Sequence, residues 1–287
     1  MSDVVSATRI AASMRAGHRH EPRMKSRVSQ CFPILLTVAS TALAAAAFFA
    51  PAYGQGRGGP PPGPPPTAKA LAPYDLTGYW LSVVTEDWRY RMVPPAKGDY
   101  QAVPINPEGR KLADAWDPAK DEAAGNQCKY YGAAALMRIP GNLHITWQDD
   151  NTLKIETDAG TQTRILHFGN GKPSGGERSW QGDTVATWEV PRGRGPAPVP
   201  APYGTLKAVT TNLKAGYLRK NGVPYSENTV LTEYYDLIRG TDGTPWLVIS
   251  SIVDDPQYLR MNFITSTNFK KVADGSGWDP SPCSARW

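Results

Sequence analysis

The chain has 287 residues, of which 40% are hydrophobic and 20% charged, and its formal net charge is +5. This balance excludes a polytopic membrane protein and a wholly disordered chain, and the length allows one large domain or two small ones. Nine Trp and 13 Tyr against six Phe favour strands and half-polar pockets over a helical bundle.

Met24-Lys-Ser-Arg27 is a short basic segment, and an apolar stretch runs from Phe32 to Phe49. Small residues, Ala52 and Gly54, then precede a cut before Gln55. This is the layout of a secretory signal, so residues 1–54 are expected to be removed, with the residues before Met24 an upstream extension. The alternative is an uncleaved anchor, because the apolar run is just long enough to span a bilayer. Removal takes away six Lys/Arg and two acids and brings the formal charge from +5 to +1. The basic character is therefore largely a property of the leader and not a nucleic-acid footprint. No nucleic-acid partner and no membrane span after signal removal are expected, and the expected location is periplasmic or extracellular. Cys128 and Cys283 are the two cysteines left. In an exported chain they are expected to pair, against the alternative of two buried thiols.

Residues 55–73 are rich in Pro and Gly and read as an extended spacer. Residues 74–287 read as one β domain. Gly78–Val84 is strand-like, and Trp88–Met92 alternates in the same way. Asn106 is a suitable N-cap for a helix beginning at Pro107, and a second helical turn is expected over Pro118–Ala124. Strands follow at 142–148, 152–158, 161–168, within 180–190, and near 205–214, 228–238, 245–253 and 261–271. Short, local spacing of this kind predicts an all-β fold: an antiparallel lipocalin-like barrel of about 8–10 strands with a short helical insertion. Both faces of 244–255 are apolar or small, which predicts a strand covered inside and out, with the helix around Leu112 as the outer cover.

Asp75-Leu-Thr-Gly78-Tyr-Trp80 is similar to the Gly-x-Trp opening strand of lipocalin-like barrels. A longer ordered set comprises Cys128, Arg138-Ile-Pro140, Ser179-Trp180-Gln-Gly182, Trp188-Glu189, Gly222-Val-Pro-Tyr-Ser226-Glu227, Glu233, Asp255-Pro256 and Cys283. It resembles a family of exported bacterial β-rich proteins and covers roughly residues 75–284. The chain departs from that pattern at Val190–Pro202, where a Pro-rich insertion stands in place of a tight turn. The resemblance implies secretion and a β-rich fold, and no reaction.

His144 alternates with Thr146 and Gln148 opposite Leu143, Ile145 and Trp147. If the apolar face packs outward, His144 points into the barrel and His167 joins it in one cavity, with Trp88 and Tyr90 in the wall. Glu86 shares the face of Trp88 and Tyr90, so an acid beside the imidazoles becomes available for proton transfer. The alternative is two unrelated strand histidines and a solvated strand end. No His-x-His, His-Glu-x-x-His or Cys-x-x-Cys spacing occurs, so no metal site is expected. No Gly-x-Ser-x-Gly elbow, dinucleotide fingerprint or P-loop occurs, so no cofactor is expected. The resulting expectation is an exported binding protein holding a small, partly apolar ligand in the barrel, with Trp88, Tyr90, His144 and His167 as its contacts. The alternative is an isomerase, lyase or hydrolase using His144 or His167 with Glu86.

Overall fold

Strands form where branched and aromatic residues alternate with polar ones, because side chains of a strand point to opposite faces in turn. In chain order they are β1 Gly78–Val83, β2 Asn142–Asp149, β3 Thr152–Thr157, β4 Gln162–Phe168, β5 Asp183–Glu189 and β6 Thr205–Thr211. Then come β7 Gly216–Tyr217, β8 Pro224–Tyr225, β9 Val230–Arg239, β10 Pro245–Asp254 and β11 Phe263–Val272. The computed structural model describes residues 64–169, 175–191 and 203–286. The expected leader, the first part of the expected spacer and most of the Pro-rich insertion lie outside the described residues.

Nine strands close a barrel in the order β1-β11-β10-β9-β6-β5-β4-β3-β2, while β7 and β8 form a separate hairpin. Apart from that hairpin, the order around the barrel is the order along the chain. Eight of the nine contacts are antiparallel, and β4 with β5 is parallel, Leu166 facing Thr184. The expected wholly antiparallel barrel is corrected here for a topological reason. Strands alternating up and down around a closed ring must be even in number, so a nine-membered ring needs a parallel pair.

The strand directions place two long excursions over one end of the barrel. Residues 84–141 connect β1 to β2, and residues 212–229 connect β6 to β9. The first carries α2 Trp88–Arg91, α3 Pro107–Asp114, α4 Pro118–Ala123, a 3-10 turn Gln127–Tyr131 and α5 Ala133–Leu136. The helix starts follow the sequence reading. The Asn106 side chain accepts from Gly109 N at 2.9 Å, and Asp117 caps α4 by accepting from Ala119 N at 3.0 Å. With the β10–β11 loop these segments make a cap with its own core, including Tyr100, Ile105, Leu218, Tyr225, Leu259 and Phe263. Ser226 ties the excursion to that loop, its N–H and hydroxyl donating to the buried Asp255 carboxylate at 2.7 and 2.8 Å.

Inward positions of the barrel are occupied by Trp80, Leu143, Ile145, Leu153, Ile155, Leu166, Leu206, Tyr235, Leu247, Ile249 and Phe269, all in one core cluster. An ion pair lies among them. Arg164 of β4 and Glu233 of β9 are both fully buried, and the guanidinium donates to the two carboxylate oxygens at 3.0 and 2.6 Å. It also donates to Thr210 at 3.2 Å and Tyr235 at 3.3 Å, and Thr184 bonds Thr210 at 2.8 Å. Burial acts against the Arg164 charge, and Glu233 with Tyr235 more than restores it, so its pKa stands above the ordinary value.

The end opposite the cap is closed by aromatic rings. Trp147, Phe168 and Trp188 follow one another with centroids 5.5 Å apart, and Tyr74 meets Trp188 edge-on at 5.6 Å. One turn of helix, α1 Ala68–Leu71, docks there, with Trp188 Nε1 donating to Ala68 O at 2.8 Å. The last part of the expected spacer is thus folded onto the barrel. Composition identified its prolines but not the apolar Ala68 that anchors it.

The structure also departs from the expected cover of β10. Leu112 is 41% exposed, and α3 packs within the cap, where Gly109 lies against Tyr258 and Ile105. Trp88–Met92 is a helical turn where alternation predicted a strand. Asp87, at φ 49°, turns the chain into it, and four or five residues are too few to separate the two periods.

The C-terminal tail leaves β11 and returns along β1 and β2 to the cap. Trp278 packs on Tyr79, Asn142 Nδ2 donates to Gly277 O at 2.8 Å, and Ser281 N donates to Asp158 O at 3.0 Å. The expected disulfide closes the path: Cys128 and Cys283 are bonded, with Cα atoms 5.1 Å apart.

Removing one partner of the buried ion pair leaves a charge without compensation, at a cost of about 3–5 kcal/mol. We expect Arg164→Met to lower the melting temperature by about 10 °C and Arg164→Met with Glu233→Leu to recover most of that loss. Equal loss in the single and double variants would show that the pair itself is not the source.

The bridge closes a loop spanning 155 positions, for which chain entropy gives a stabilisation of up to about 5 kcal/mol. Cys283→Ser is expected to lose most of it in urea titration. An unchanged midpoint would mean that the tail is held without the bond.

Candidate functional site

The β7–β8 hairpin is shaped by its turn, Arg219-Lys220-Asn221-Gly222, which Leu218 N closes onto Val223 O at 2.7 Å. Gly222 has φ +80°, and a Cβ there would come within 2.2 Å of the Trp116 side chain. Both facts call for glycine. The turn is pinned from below: Asn221 Nδ2 donates to Ala96 O and Asp99 O at 3.0 and 2.9 Å, and Arg219 Nη1 donates to Gln101 O at 2.6 Å.

Between this hairpin and the α3–α4 corner runs a cleft of about 370 Å³ whose lining includes Trp116, Tyr217, Pro224 and Tyr225, with Lys120 and Asp121 among its polar residues. That volume lies within the range of small-molecule sites. Trp116 and Tyr217 meet edge to face with centroids 6.4 Å apart. The buried Asp121 carboxylate accepts from the Tyr217 hydroxyl at 2.7 Å and from Lys129 Nζ at 2.6 Å. Burial first, and then this carboxylate, push the Tyr217 phenol above its ordinary pKa. The Tyr225 hydroxyl is buried and has no hydrogen-bond partner among the described residues. Burial pushes its pKa up as well, so it remains a neutral O–H donor.

A second, much smaller cavity of about 10 Å³ shares Trp116, Asp121, Lys129 and Tyr217 with the cleft and continues to Tyr130, Arg219 and Lys220. Around Tyr130 are three buried arginines whose charges all act on its phenol. They are not equally satisfied. Arg91 donates to Arg138 O at 2.8 Å, to Ser82 at 3.2 Å and to the Glu86 carboxylate. Arg138 donates through Nη2 to Asp87 at 3.1 Å, and its Nη1 has no acceptor among the described residues. Arg219 stacks on Tyr90, with Cζ 3.9 Å from the ring centroid, and its Nε and Nη2 have no acceptor among the described residues. Burial, with the Arg138 charge adding to it, lowers the pKa of Arg219 from its ordinary value.

A wider, more open depression of about 670 Å³ lies at the opposite end, between residues 69–78 and the Ile145–Trp147 stretch of β2. None of the unpartnered buried polar atoms belongs to its lining. No family model matches this chain, and no curated protein matches it either.

The residues expected to share one cavity are dispersed. Leu143 and Ile145 point into the barrel, so His144 points out of it, reversing the expected phase. Its ring stacks on Tyr79 at 4.2 Å, and its Nδ1 lies 3.3 Å from Glu156. His167 is exposed on the outer face of β4 opposite Thr152, whereas His144 lies opposite Glu156 on the same strand β3. The imidazoles therefore share neither a pocket nor a neighbouring register position. Trp88 is 63% exposed, while Tyr90 is buried beneath Arg219, and Glu86 is committed to Arg91. Neither histidine lines the cleft or the small cavity. Among the described residues no group of three or more His, Cys, Asp or Glu is placed to hold a metal ion.

The sequence reading did not single out Trp116, Tyr217 or Arg219, and held Arg138 and Tyr225 only as members of the family-like motif set. One local signal was available. Asn221-Gly222 is a strong hairpin turn signature, and it sets Tyr217 beside Pro224 and Tyr225 beside Gly216.

Gly222→Ala tests the role of this turn. Forcing a Cβ against Trp116 at a left-handed backbone position should cost about 1–3 kcal/mol and shift the tryptophan emission. Wild-type stability and an unshifted spectrum would show that the turn and Trp116 are not mutually constrained.

Proposed function

We propose that this chain is an exported binding protein for a small, partly apolar molecule, and that the molecule lies in the Trp116–Tyr217–Tyr225 cleft on the cap. The carrying observation is the cleft itself: Trp116, Tyr217 and Tyr225 among the walls of about 370 Å³. The barrel interior, in which a lipocalin-like fold would hold its ligand, is taken up by packed side chains and the Arg164–Glu233 pair. Kinship with lipocalin-like barrels is supported by the Gly-x-Trp start, whose Trp80 is fully buried and donates to Leu76 O at 2.9 Å. The parallel β4–β5 pair weighs against it.

Export is supported by the signal-like layout of the leader and by the Cys128–Cys283 bond, since disulfides persist in oxidising compartments. No helix among the described residues is long and apolar enough to cross a membrane. The histidine–acid alternative draws only on His144 and Glu156, which meet on the outer wall of the barrel and not in a cavity.

N-phenyl-1-naphthylamine, a neutral apolar fluorophore, should bind the folded protein with a rise in emission. Trp116→Ala should weaken that binding about tenfold or more while circular dichroism stays unchanged, because one aromatic wall carries about 1.5–3 kcal/mol of burial. Equal binding by both proteins would place the probe elsewhere and remove the cleft as the site.

A further inference from the structure

The cap contains a second, incomplete ionic cluster. Arg89, Arg91 and Arg138 are paired with Asp99, Glu86 and Asp87 respectively. Arg219 makes no ion pair among the described residues, so this cluster has four guanidiniums and three paired carboxylates. Arg219 is only 1% exposed and Arg138 only 3%, so bulk solvent does not reach their open donors. A buried donor without an acceptor is costly, more so on a charged group, and native proteins rarely keep several together.

The pattern of the open donors is informative. On Arg219 they are Nε and Nη2, the side-on edge of the guanidinium whose two N–H groups point the same way. That edge can hold one anionic oxygen between its two N–H groups. Stacking on Tyr90 and the bond to Gln101 O hold the guanidinium plane in place. Arg138 adds Nη1. Arg219 is itself a wall of the small cavity that adjoins the cleft across Trp116 and Tyr217. At about 10 Å³ that cavity takes one oxygen-sized atom. A whole ligand or head group is therefore excluded from it, and only one oxygen of an anion whose remaining atoms stay in the cleft can reach Arg219.

We propose that Arg219 is an oxyanion subsite that holds one oxygen of the carboxylate or phosphate head of an amphipathic ligand whose apolar body occupies the cleft. This rests on the binding reading above. The competing arrangement is internal. Asp99 Oδ1 is also buried without a partner, and a small shift of that carboxylate onto Arg219 would satisfy both groups without any ligand.

The test uses two probes with one aromatic body, 8-anilino-1-naphthalenesulfonate and the neutral N-phenyl-1-naphthylamine. The sulfonate probe should bind wild type about tenfold more tightly, and Arg219→Gln should abolish that difference while leaving the neutral probe unaffected. Arg219→Lys, which keeps the charge and loses the fork, should retain only part of it and serves in place of Arg219→Gln should the latter not fold. Competition by acetate and by inorganic phosphate then distinguishes the head groups, the better competitor naming the class. Equal affinity for the two probes in wild type, or a difference that survives in Arg219→Gln, overturns the subsite. Failure of the neutral probe to bind wild type would remove the cleft reading alone. The subsite would then be judged by phosphate, which must raise the melting temperature of wild type and not of Arg219→Gln. Equal rises would mean an adventitious ion only, and no rise in either would favour the Asp99 arrangement; both overturn the proposal.

Discussion

The contact between Arg164 and Glu233 determines what the inside of this barrel can be. Two charges in a space closed to water are tolerable only when each satisfies the other and their remaining donors and acceptors are met. Here Tyr235 and Thr210, backed by Thr184, meet the guanidinium beyond its carboxylate, only Arg164 Nε has no acceptor among the described residues, and aliphatic and aromatic side chains fill the remaining space. A ligand inside would have to displace a satisfied ion pair and pay the desolvation cost of both charges. The barrel interior is therefore a packed scaffold, and the proposed binding site lies at its end.

Strand count and direction decide which end. With nine strands and one parallel contact, the long connections from β1 to β2 and from β6 to β9 fall on the same side. Their helices and hairpin acquire a common core there. The two buried ionic groups of the molecule also differ. The one inside the barrel has its charges balanced and one donor open, Arg164 Nε, whereas the one in the cap has an unmatched guanidinium and three open donors on Arg138 and Arg219. The packed barrel and the cap that carries the proposed site are thus separated in space, as is usual where loops are held by a sheet.

Local rules made much of the fold legible. Alternation located most of the barrel strands, Asn106 and Pro107 marked the start of α3, and the two cysteines of the β domain form the bond expected of them. The family-like motifs turned out to be joints of the fold: Glu233 in the barrel, Ser226 and Asp255 between hairpin and loop, Arg138 in the cap. The phase of β2 was misjudged because a ligand cavity was assumed first, which turned Leu143 and Ile145 outward to free the inside for His144. Simple burial of the apolar face would have placed all three correctly. The cleft was not legible for another reason. Trp116, Tyr217 and Arg219 are brought together by the docking of the hairpin on residues 96–101, a long-range event that no periodicity encodes.

The Cys128–Cys283 bond has a consequence for the chain as a connected object. It joins a turn in the cap to the tail that follows the last strand, so β2 to β11 all lie within one covalent ring. A single peptide cut anywhere between the two cysteines opens the ring without releasing a fragment. The Pro-rich insertion at 191–202 lies within that interval. A protein nicked there would stay in one piece until reduced, with both sides of the cut still tethered to the cap.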